Sequence, residues 1–294
     1  MTTVSPLVFG EVLFDHFPDG KKVLGGAPFN VAWHLQGWGH NPLFLSSLGN
    51  DTEAQDIRSQ MESWGMNKEM LQQHSSLPTG RVQVLLEENE PTFDIVSQVA
   101  YDEILLPQES LRWNDSPLLY HGSLAARSQV SQDTLRKLRD LGIPTFVDIN
   151  LRSPWDNSNT LPILPQLLQG IDWLKLNQDE LAKLSEQALE TNEKVKEVAT
   201  QLRQELGCQA IWVTCGDKGA YVVDKDECLH APAPRPQPFV DTVGAGDAFA
   251  SVVIHGLLSG WSHVKILQHA TAFASRVCEH VGATQTQRSF YTLT

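Results

Sequence analysis

Short apolar segments alternate with amphipathic helix patterns along the second half of the chain. Thr145–Asn150, Trp173–Asn177 and Ala210–Cys215 each have the composition of a buried strand. Apolar residues at helical spacing lie between the last two strands and before the first, at Val195, Val198, Ala199, Leu202 and Leu206 and at Leu135, Leu138 and Leu141. Strands joined by helices need crossover connections, which favour parallel pairing. The sequence therefore predicts an α/β fold with a mostly parallel central sheet and helices on both faces.

One region departs from this alternation. Arg81–Leu86 and Thr92–Val96 are two short strand-like segments joined by the polar turn Glu87–Pro91, which is the pattern of a β-hairpin. No helix pattern adjoins them, so we predict a small accessory sheet that could cover a cleft or pair with a second subunit. A plain edge hairpin of the main sheet is the alternative, because mixed sheets are common.

The overall charge restricts the partners of the chain. Its 294 residues contain 22 Lys and Arg against 35 Asp and Glu, which gives a formal net charge of −13 at pH 7. Such an acidic protein is poorly suited to nucleic acid or to an anionic membrane. An anionic substrate would need a locally positive pocket.

Cysteine usage and the N-terminus indicate the cellular setting. The longest uncharged apolar run, Ala248–Val264, is short for a membrane span, and no signal peptide is visible. No CxxC pair occurs, so we predict free thiols at Cys208, Cys215, Cys228 and Cys278. We therefore expect a cytoplasmic protein.

Polar side chains stand at the carboxyl ends of the three predicted strands. They are Asp148 and Asn150, then Asn177, then Thr214. In open α/β sheets ligands bind beyond these ends, so the four residues predict one rim of a binding site. Each of them alone is more often a helix cap or a turn former.

A glycine-rich turn, Asp241–Asp247, opens directly into a helical pattern with a predicted stop at Gly260. The first N–H groups of a helix lack an intrahelical acceptor, and the helix dipole adds partial positive charge there. Gly244 and Gly246 allow a bulky anion to approach the backbone closely. The turn is therefore predicted to form an anion hole without Lys or Arg.

Asp247 stands at the start of this helix, and a second carboxylate, Asp241, lies upstream in the same turn. One interpretation of Asp247 is an N-cap. The other is phosphoryl transfer to a hydroxyl, in which the carboxylate orients the hydroxyl and takes its proton while the N–H groups stabilise the phosphoryl charge. P-loop, protein-kinase, Rossmann, zincin and α/β-hydrolase motifs are absent from the sequence, which disfavours those enzyme classes.

Two motifs resemble signatures of the ribokinase/PfkB family of carbohydrate kinases. Asp241–Asp247 (DTVGAGD) is similar to its C-terminal signature and Gly25–Ala32 (GGAPFNVA) to its N-terminal one. The resemblance extends from Gly10 to about Thr286, and Val252 is a mild departure where a small residue is usual. It implies one ribokinase-like kinase domain over residues 1–294, with a three-layer α/β/α fold and a small β-sheet lid formed by about residues 12–24 and 79–101. It further implies an ATP-dependent sugar kinase whose sugar lies between the lid and the main sheet.

The resemblance also implies roles for individual residues. Asp247 would be the catalytic base and would contact the sugar. The anion hole would consist of Gly244, Ala245 and Gly246. Hydroxyl groups of the sugar would be bound by Asp15, Gly25, Gly26 and Asn30. Taken alone, Asp15 is equally compatible with a turn before Pro18, and the two glycines with a loop.

The same resemblance implies a nucleotide and metal side. Asn177 and Glu180 resemble an NxxE motif that places Mg²⁺ and its waters near the phosphates, although Glu180 alone could be a solvated helix residue. ATP would be bound by Asn177, Thr214, Gly216, Gly219, Gly244 and Gly246. Val277–Thr286 resembles the segment that borders the adenine. A monovalent cation, K⁺, would be held by Asp241 and Gly282.

The substrate is the less constrained part of the resemblance. Asp148–Trp155 (DINLRSPW) is similar to a stretch common in the fructokinase branch. Its Arg152 would meet a sugar hydroxyl or the transferred phosphoryl, unless it forms a buried ion pair. Phosphorylation of D-fructose to fructose 6-phosphate is therefore favoured. A 2-keto-3-deoxygluconate kinase, another sugar or nucleoside kinase, and a catalytically silent sugar or nucleotide sensor are the alternatives. Because one side of a small lid sheet is hard to cover, we also predict a homodimer through the lid.

Overall fold

The structure is a computed structural model that describes residues 5–87, 90–107, 116–151 and 163–292. Contacts divide the chain into two compact units. The first consists of the described residues of Met1–Ile143 and Leu151–Leu164, and the second of those of Pro144–Asn150 and Pro165–Thr294. Each unit contains parallel strands with helices packed against them.

The first unit contains a parallel sheet. The strands of the whole unit, in chain order, are β1 (Leu7–Phe9), β2 (Leu13–His16), β3 (Lys22–Gly25), β4 (Leu43–Leu48), β5 (Leu71–Gln73), β6 (Gly80–Glu87), β7 (Glu90–Ile95) and β8 (Leu119–His121). Its helices are α1 (Ala27–Gly37), α2 (Thr52–Trp64) and α3 (Gln129–Arg139). Four of these strands form the parallel sheet, in the order β8-β1-β4-β5, and every neighbouring pair in it is parallel. β1 and β4 are buried along their whole length, as expected for strands covered on both faces.

A separate four-stranded sheet in the first unit has the order β3-β2-β6-β7. β6 and β7 form the predicted antiparallel hairpin, so the accessory sheet is confirmed and the edge-hairpin alternative is wrong. The strands extend further than predicted, because Glu87 pairs with Glu90. Residues 88 and 89 of the turn lie outside the described residues. We call this sheet, β3-β2-β6-β7, the lid sheet.

The second unit carries the alternation that the sequence predicted. Its strands are β9 (Thr145–Asp148), β10 (Trp173–Asn177), β11 (Ala210–Thr214), β12 (Ala220–Val223) and β13 (Cys228–Ala231). The remaining helices are α4 (Leu164–Leu168), α5 (Gln178–Ser185), α6 (Asn192–Leu206), α7 (Ala245–Leu258) and α8 (His263–Val277). β9, β10 and β11 are parallel neighbours, and β12 and β13 add an antiparallel hairpin beside β11. The predicted mostly parallel central sheet is therefore confirmed.

Helix boundaries follow local signals, with one difference from the predicted pattern. Val195, Val198 and Ala199 of α6 are buried, as the helical spacing predicted. In α3, Leu135 and Leu138 are buried, whereas Leu141 is 46% exposed. The reason is that α3 ends at Arg139, before the left-handed Gly142, so Leu141 is not on the helix.

Two simple expectations concern the chain as a whole. All four cysteines are free thiols. Across the part of the chain that the structure describes, no helix is long and apolar enough to span a membrane.

Candidate active site

The glycine-rich turn of the second unit leads into α7 as the sequence predicted. Gly244 is the N-cap and has a left-handed backbone with φ of 78°. A Cβ at this position would lie 2.4 Å from the Cβ of Ala283, so only glycine fits the contact. The amide of Ala245 donates to the carbonyl oxygen of Thr242 at 3.2 Å. Ala245 therefore helps to close the turn, which leaves the glycine amides as the better candidates for binding an anion.

Asp247 lies inside the first turn of α7 and is 8% exposed. The N-cap is Gly244, so the interpretation of Asp247 as an N-cap is wrong. At the other end of the helix, Gly260 is left-handed with φ of 67° and follows the C-cap Ser259, which confirms the predicted stop. A carboxylate buried at a helix N-terminus is favourably placed with respect to the dipole.

A buried ion pair lies next to this turn. Asp148 of β9 and Lys175 of β10 are register partners, and the Lys175 Nζ donates to both carboxylate oxygens, at 3.0 and 2.9 Å. Both side chains are buried, with Asp148 completely inaccessible. Asp148 therefore does not lie on an open rim, contrary to our prediction, because Lys175 holds it inside the unit.

The charges around this ion pair are coupled. Burial raises the pKa of Asp148, the Lys175 charge opposes this, and Glu180 and Asp247 add to the increase. Burial lowers the pKa of Lys175, but the charges of Asp148, Glu180 and Asp247 outweigh it, so the pKa lies above its usual value. Lys175 thus remains an ammonium, bonded to Asp148 and attracted by the charges of Glu180 and Asp247.

Asn177 and Glu180 are joined by a reciprocal capping box at the start of α5. The Asn177 side chain accepts from the Glu180 amide at 2.8 Å, and the Glu180 carboxylate accepts from the Asn177 amide at 2.7 Å. Glu180 is 4% exposed, so the alternative of a solvated helix residue is wrong. Thr214 is the register partner of Asn177, which places two predicted polar strand ends side by side.

These oxygen donors suit Mg²⁺ better than a softer metal. The described residues contain no group of three His, Cys, Asp or Glu side chains able to hold a metal. Asn177 and Glu180 lie together at the start of α5 and provide a few oxygen donors rather than a full coordination sphere. The residues therefore fit a Mg²⁺ that keeps most of its waters, and they do not fit a protein cage.

The two predicted loop glycines after β11 differ in their surroundings. Gly216 is exposed, and its backbone is left-handed with φ of 59°. Gly219 is buried, and a Cβ there would lie 2.0 Å from the carbonyl oxygen of Ala231. The packing of the hairpin alone thus requires glycine at position 219.

The predicted cation ligands lie on neighbouring segments. The Asp241 side chain accepts from the Val243 amide at 2.8 Å. The preceding residue, Val240, donates its amide to the carbonyl oxygen of Cys278 at 2.9 Å. Gly282, left-handed with φ of 81°, precedes the Ala283 that packs on Gly244. The structure thus brings the segment of Asp241 against the segment that leads to Gly282.

In the first unit, Asp15 lies within β2 rather than in a turn, so its interpretation as a turn residue is wrong. Gly25 ends β3, and a Cβ there would lie 3.4 Å from the Asp15 Oδ2. Gly26 is the N-cap of α1 with φ of 107°, and a Cβ there would lie 2.7 Å from the Glu11 carbonyl oxygen. The two glycines are therefore the end of a strand and a helix cap, not a loop.

Asn30 lies one turn into α1 and is 5% exposed, and its backbone N–H donates to the Gly26 carbonyl oxygen at 2.9 Å. The first unit thus brings together the end of β3, the start of α1 and the Asp15 carboxylate. Arg152 lies outside the described residues, and both interpretations of it stay predictions. Asn150, beyond the end of β9, has a left-handed backbone with φ of 44°.

Lys175 is the residue that sequence reasoning missed. In the sequence it stands within the predicted strand Trp173–Asn177, two residues before the NxxE motif, and no role is predicted for it. A signal was available, since a Lys inside an otherwise apolar strand, beside another such strand containing an Asp, is typical of a buried pair.

Comparison with known proteins gives a consistent family. The model of the pfkB family carbohydrate kinase matches residues 6–289. Aminoimidazole riboside kinase of Salmonella typhimurium is 27% identical over 274 residues, which cover 90% of this chain and 82% of that protein. Fructokinase of Klebsiella pneumoniae is 28% identical over 261 residues, with 85% and 83% covered.

The structure also resembles that of Arabidopsis thaliana ribokinase complexed with ribose and ATP. The TM-score is 0.82 at 20% identity, and 98% of this chain and 97% of that chain are covered. At this identity the likeness establishes the fold, a ribokinase-like α/β fold with a mostly parallel central sheet and a small separate sheet.

Proposed function

The chain belongs to the pfkB family of carbohydrate kinases, and we propose that among these sugar and nucleoside kinases it transfers the γ-phosphoryl group of ATP to D-fructose, giving fructose 6-phosphate. The observation that carries the proposal is the buried Asp247 carboxylate in the first turn of α7, directly after the glycine turn. In this proposal Asp247 is the general base, and the backbone directly before it binds the anion.

The proposed reaction assigns the proton to Asp247. Its carboxylate orients the sugar hydroxyl and accepts the hydroxyl proton as the new oxygen–phosphorus bond forms. The bond between the γ-phosphorus and the bridging oxygen of ATP breaks, and ADP leaves. In a loose transition state the proton departs late, so orientation matters more than basicity.

The backbone of the turn stabilises the transferred group. The amides of Gly244 and Gly246, with Ala245 between them, would donate to the phosphoryl oxygens, helped by the α7 dipole. Mg²⁺, when bound, would shield the charge between the phosphates, and Glu180 and Asn177 would hold it through water. Thr214, Gly216 and Gly219 would contact ATP, and Asp241 with Gly282 would hold K⁺.

The sugar would be bound by Asp15, Gly25, Gly26, Asn30 and Arg152. An Asp accepts hydrogen bonds and an Asn both donates and accepts them, which suits a ligand with several hydroxyls. Fructose is favoured by the DINLRSPW stretch and by the similarity to the Klebsiella fructokinase. The riboside kinase is similar to almost the same degree, so nucleosides belong in the test.

A substrate panel tests the proposal. ADP release is measured with ATP and Mg²⁺ in the presence of fructose, ribose, 2-keto-3-deoxygluconate, adenosine or aminoimidazole riboside. We expect the highest kcat/KM with fructose. A higher value with another acceptor would transfer the assignment to that substrate, and no turnover with any of them would favour the catalytically silent sensor.

We propose further that the chain forms a homodimer through the lid sheet. Phe93, a large apolar side chain of that sheet, is 57% exposed. Leu85 is also exposed, at 47%, but lies on the opposite face, because Phe93 pairs with Val84. We expect light scattering at micromolar concentration to give a dimer, and Phe93→Asp to shift it toward the monomer because a charge would be buried at the contact. A wild-type protein that is strictly monomeric at this concentration would contradict the proposal.

A further inference from the structure

The Lys175 ammonium lies directly against the first turn of α7. A Cβ on Gly246 would lie 3.0 Å from its Nζ, and the next nearest side-chain atom in that direction is the Cε of the same lysine at 4.0 Å. Gly246 has an ordinary helical backbone, so its φ does not demand glycine. A side chain at position 246 would thus press against a buried cation.

The Lys175 ammonium interacts with more than one negatively charged carboxylate. Lys175 donates to both oxygens of Asp148, and it also attracts Glu180 and Asp247. Two of these three carboxylates belong to the proposed chemistry. An anionic phosphoryl group approaching Asp247 would be repelled by them, and a buried positive charge reduces that repulsion most where the effective dielectric constant is low.

Stability alone explains such an arrangement poorly. Taking a Lys and an Asp out of water costs more than packing apolar groups of the same size, and buried pairs are often replaced by apolar residues without loss. A buried ion pair beside a functional turn is therefore better explained by what its charge does there.

We propose that Lys175 is a positioning residue for phosphoryl transfer: its ammonium holds the Gly246 turn in place and offsets the charge of Asp247 and Glu180. The effect of Lys175 on phosphoryl transfer rests on the proposed function. The fixing of the Gly246 turn by Lys175 is independent of that function. Lys175 donates to Asp148 and lies beside Gly246, and its effect on the reaction is transmitted through Gly246 and Asp247.

The test compares two variants that differ in the ammonium. Asp148→Asn keeps Lys175, whereas Asp148→Asn with Lys175→Met replaces the pair by uncharged groups of similar size. Asp148→Asn takes the hydrogen-bonded counter-charge from a buried ammonium, so we expect it to melt below the wild type. The double variant leaves neither partner charged, so we expect it to recover part of that loss, and kcat is compared at a temperature where both variants are folded. We expect kcat of the double variant to be ~10–100-fold below that of Asp148→Asn, with KM for ATP and sugar changed less than about threefold. Equal kcat in the two variants would overturn the inference.

Hydrogen exchange supplies a readout that needs no turnover. We expect the peptide that contains Gly244–Phe249 to exchange faster in the double variant than in Asp148→Asn, because the turn has lost its support. Equal exchange would overturn the positioning role even if the enzyme proves to act on another substrate. A wild type that is inactive on the whole panel would defeat the proposed function, and exchange would still decide whether Lys175 fixes the turn.

Gly246→Ala keeps the inference testable if the double variant fails to fold. Alanine suits this helical position and should not destabilise α7. Its Cβ would lie 3.0 Å from the Nζ and would push the ammonium away by a few tenths of an ångström, so we expect kcat to fall in the wild-type background. In the Lys175→Met background, Gly246→Ala should lower kcat little further, because both substitutions disturb the same contact between position 246 and Lys175. Additive losses would refute the link between Gly246 and Lys175.

Discussion

Replacing Asp247 by Asn should lower kcat by ~10²–10⁴, the range for a positioned proton acceptor, while the affinity for the sugar stays nearly intact. Asn has the same shape and can still hydrogen-bond a hydroxyl, but it cannot take the proton. The substitution also removes one of the three negative charges that act on Lys175. We therefore expect the melting temperature to stay the same or rise while turnover collapses, a combination typical of functional residues. Coupled ADP release and a thermal melt measure the two effects.

Glu193→Gln is the matched control for Asp247→Asn. Glu193 is an exposed acidic residue in the first turn of α6, so its neutralisation removes a charge from a helix N-terminus without touching the proposed site. We expect its kcat to stay within about twofold of the wild type, since a surface charge at a helix end is worth little. An undiminished rate in Asp247→Asn, or a loss confined to KM, would remove Asp247 from the role of base.

The parts of the molecule that the sequence predicted well depend on local signals. The strand at Trp173–Asn177 and the helix α6 follow from residues close together in the chain. The hairpin β6–β7 has no neighbouring helix pattern, and this was enough to place it in a separate sheet. The glycine turn before α7 likewise predicted the start of a helix within a few consecutive residues.

The buried charge beside the turn could not be predicted in the same way. Asp148 and Lys175 are far apart in the chain, and their pairing depends on the register of β9 against β10. A shift of one residue would send the two side chains to opposite faces. The sequence contains both charges but not this register, so Asp148 was placed on an open rim when it is completely buried.

The sequence also did not show which contacts require glycine at positions 219 and 244. Gly219 is required by the carbonyl oxygen of Ala231, and Gly244 by Ala283, which lies far along the chain. From the sequence, Gly244 is explained by the approach of an anion, and Gly219 by its resemblance to a loop that receives ATP. In the structure, contacts with distant segments require glycine at these positions whether or not an anion binds there.

Gly244→Ala should therefore have a large effect on turnover. The new methyl group would meet Ala283 at 2.4 Å, and the backbone would have to keep a φ of 78° with a side chain present. The left-handed strain costs about 1–2 kcal/mol, and the collision forces the turn and the Gly282–Ala283 segment apart. Because the amides that would bind the phosphoryl move with the turn, we expect kcat to fall by ~10² or more, the cost of losing one such donor.

Gly260→Ala separates backbone strain from displacement of the turn. Gly260 has a similar φ of 67° at the opposite end of α7, and a Cβ there meets nothing within 4 Å. Both variants carry a comparable penalty for the left-handed backbone, and both should melt at lower temperature than the wild type. Only Gly244→Ala moves the proposed anion hole, so kcat of Gly260→Ala should remain close to that of the wild type. If the two variants lost activity equally, the loss would come from helix stability, and the glycine turn would have no special part in phosphoryl transfer.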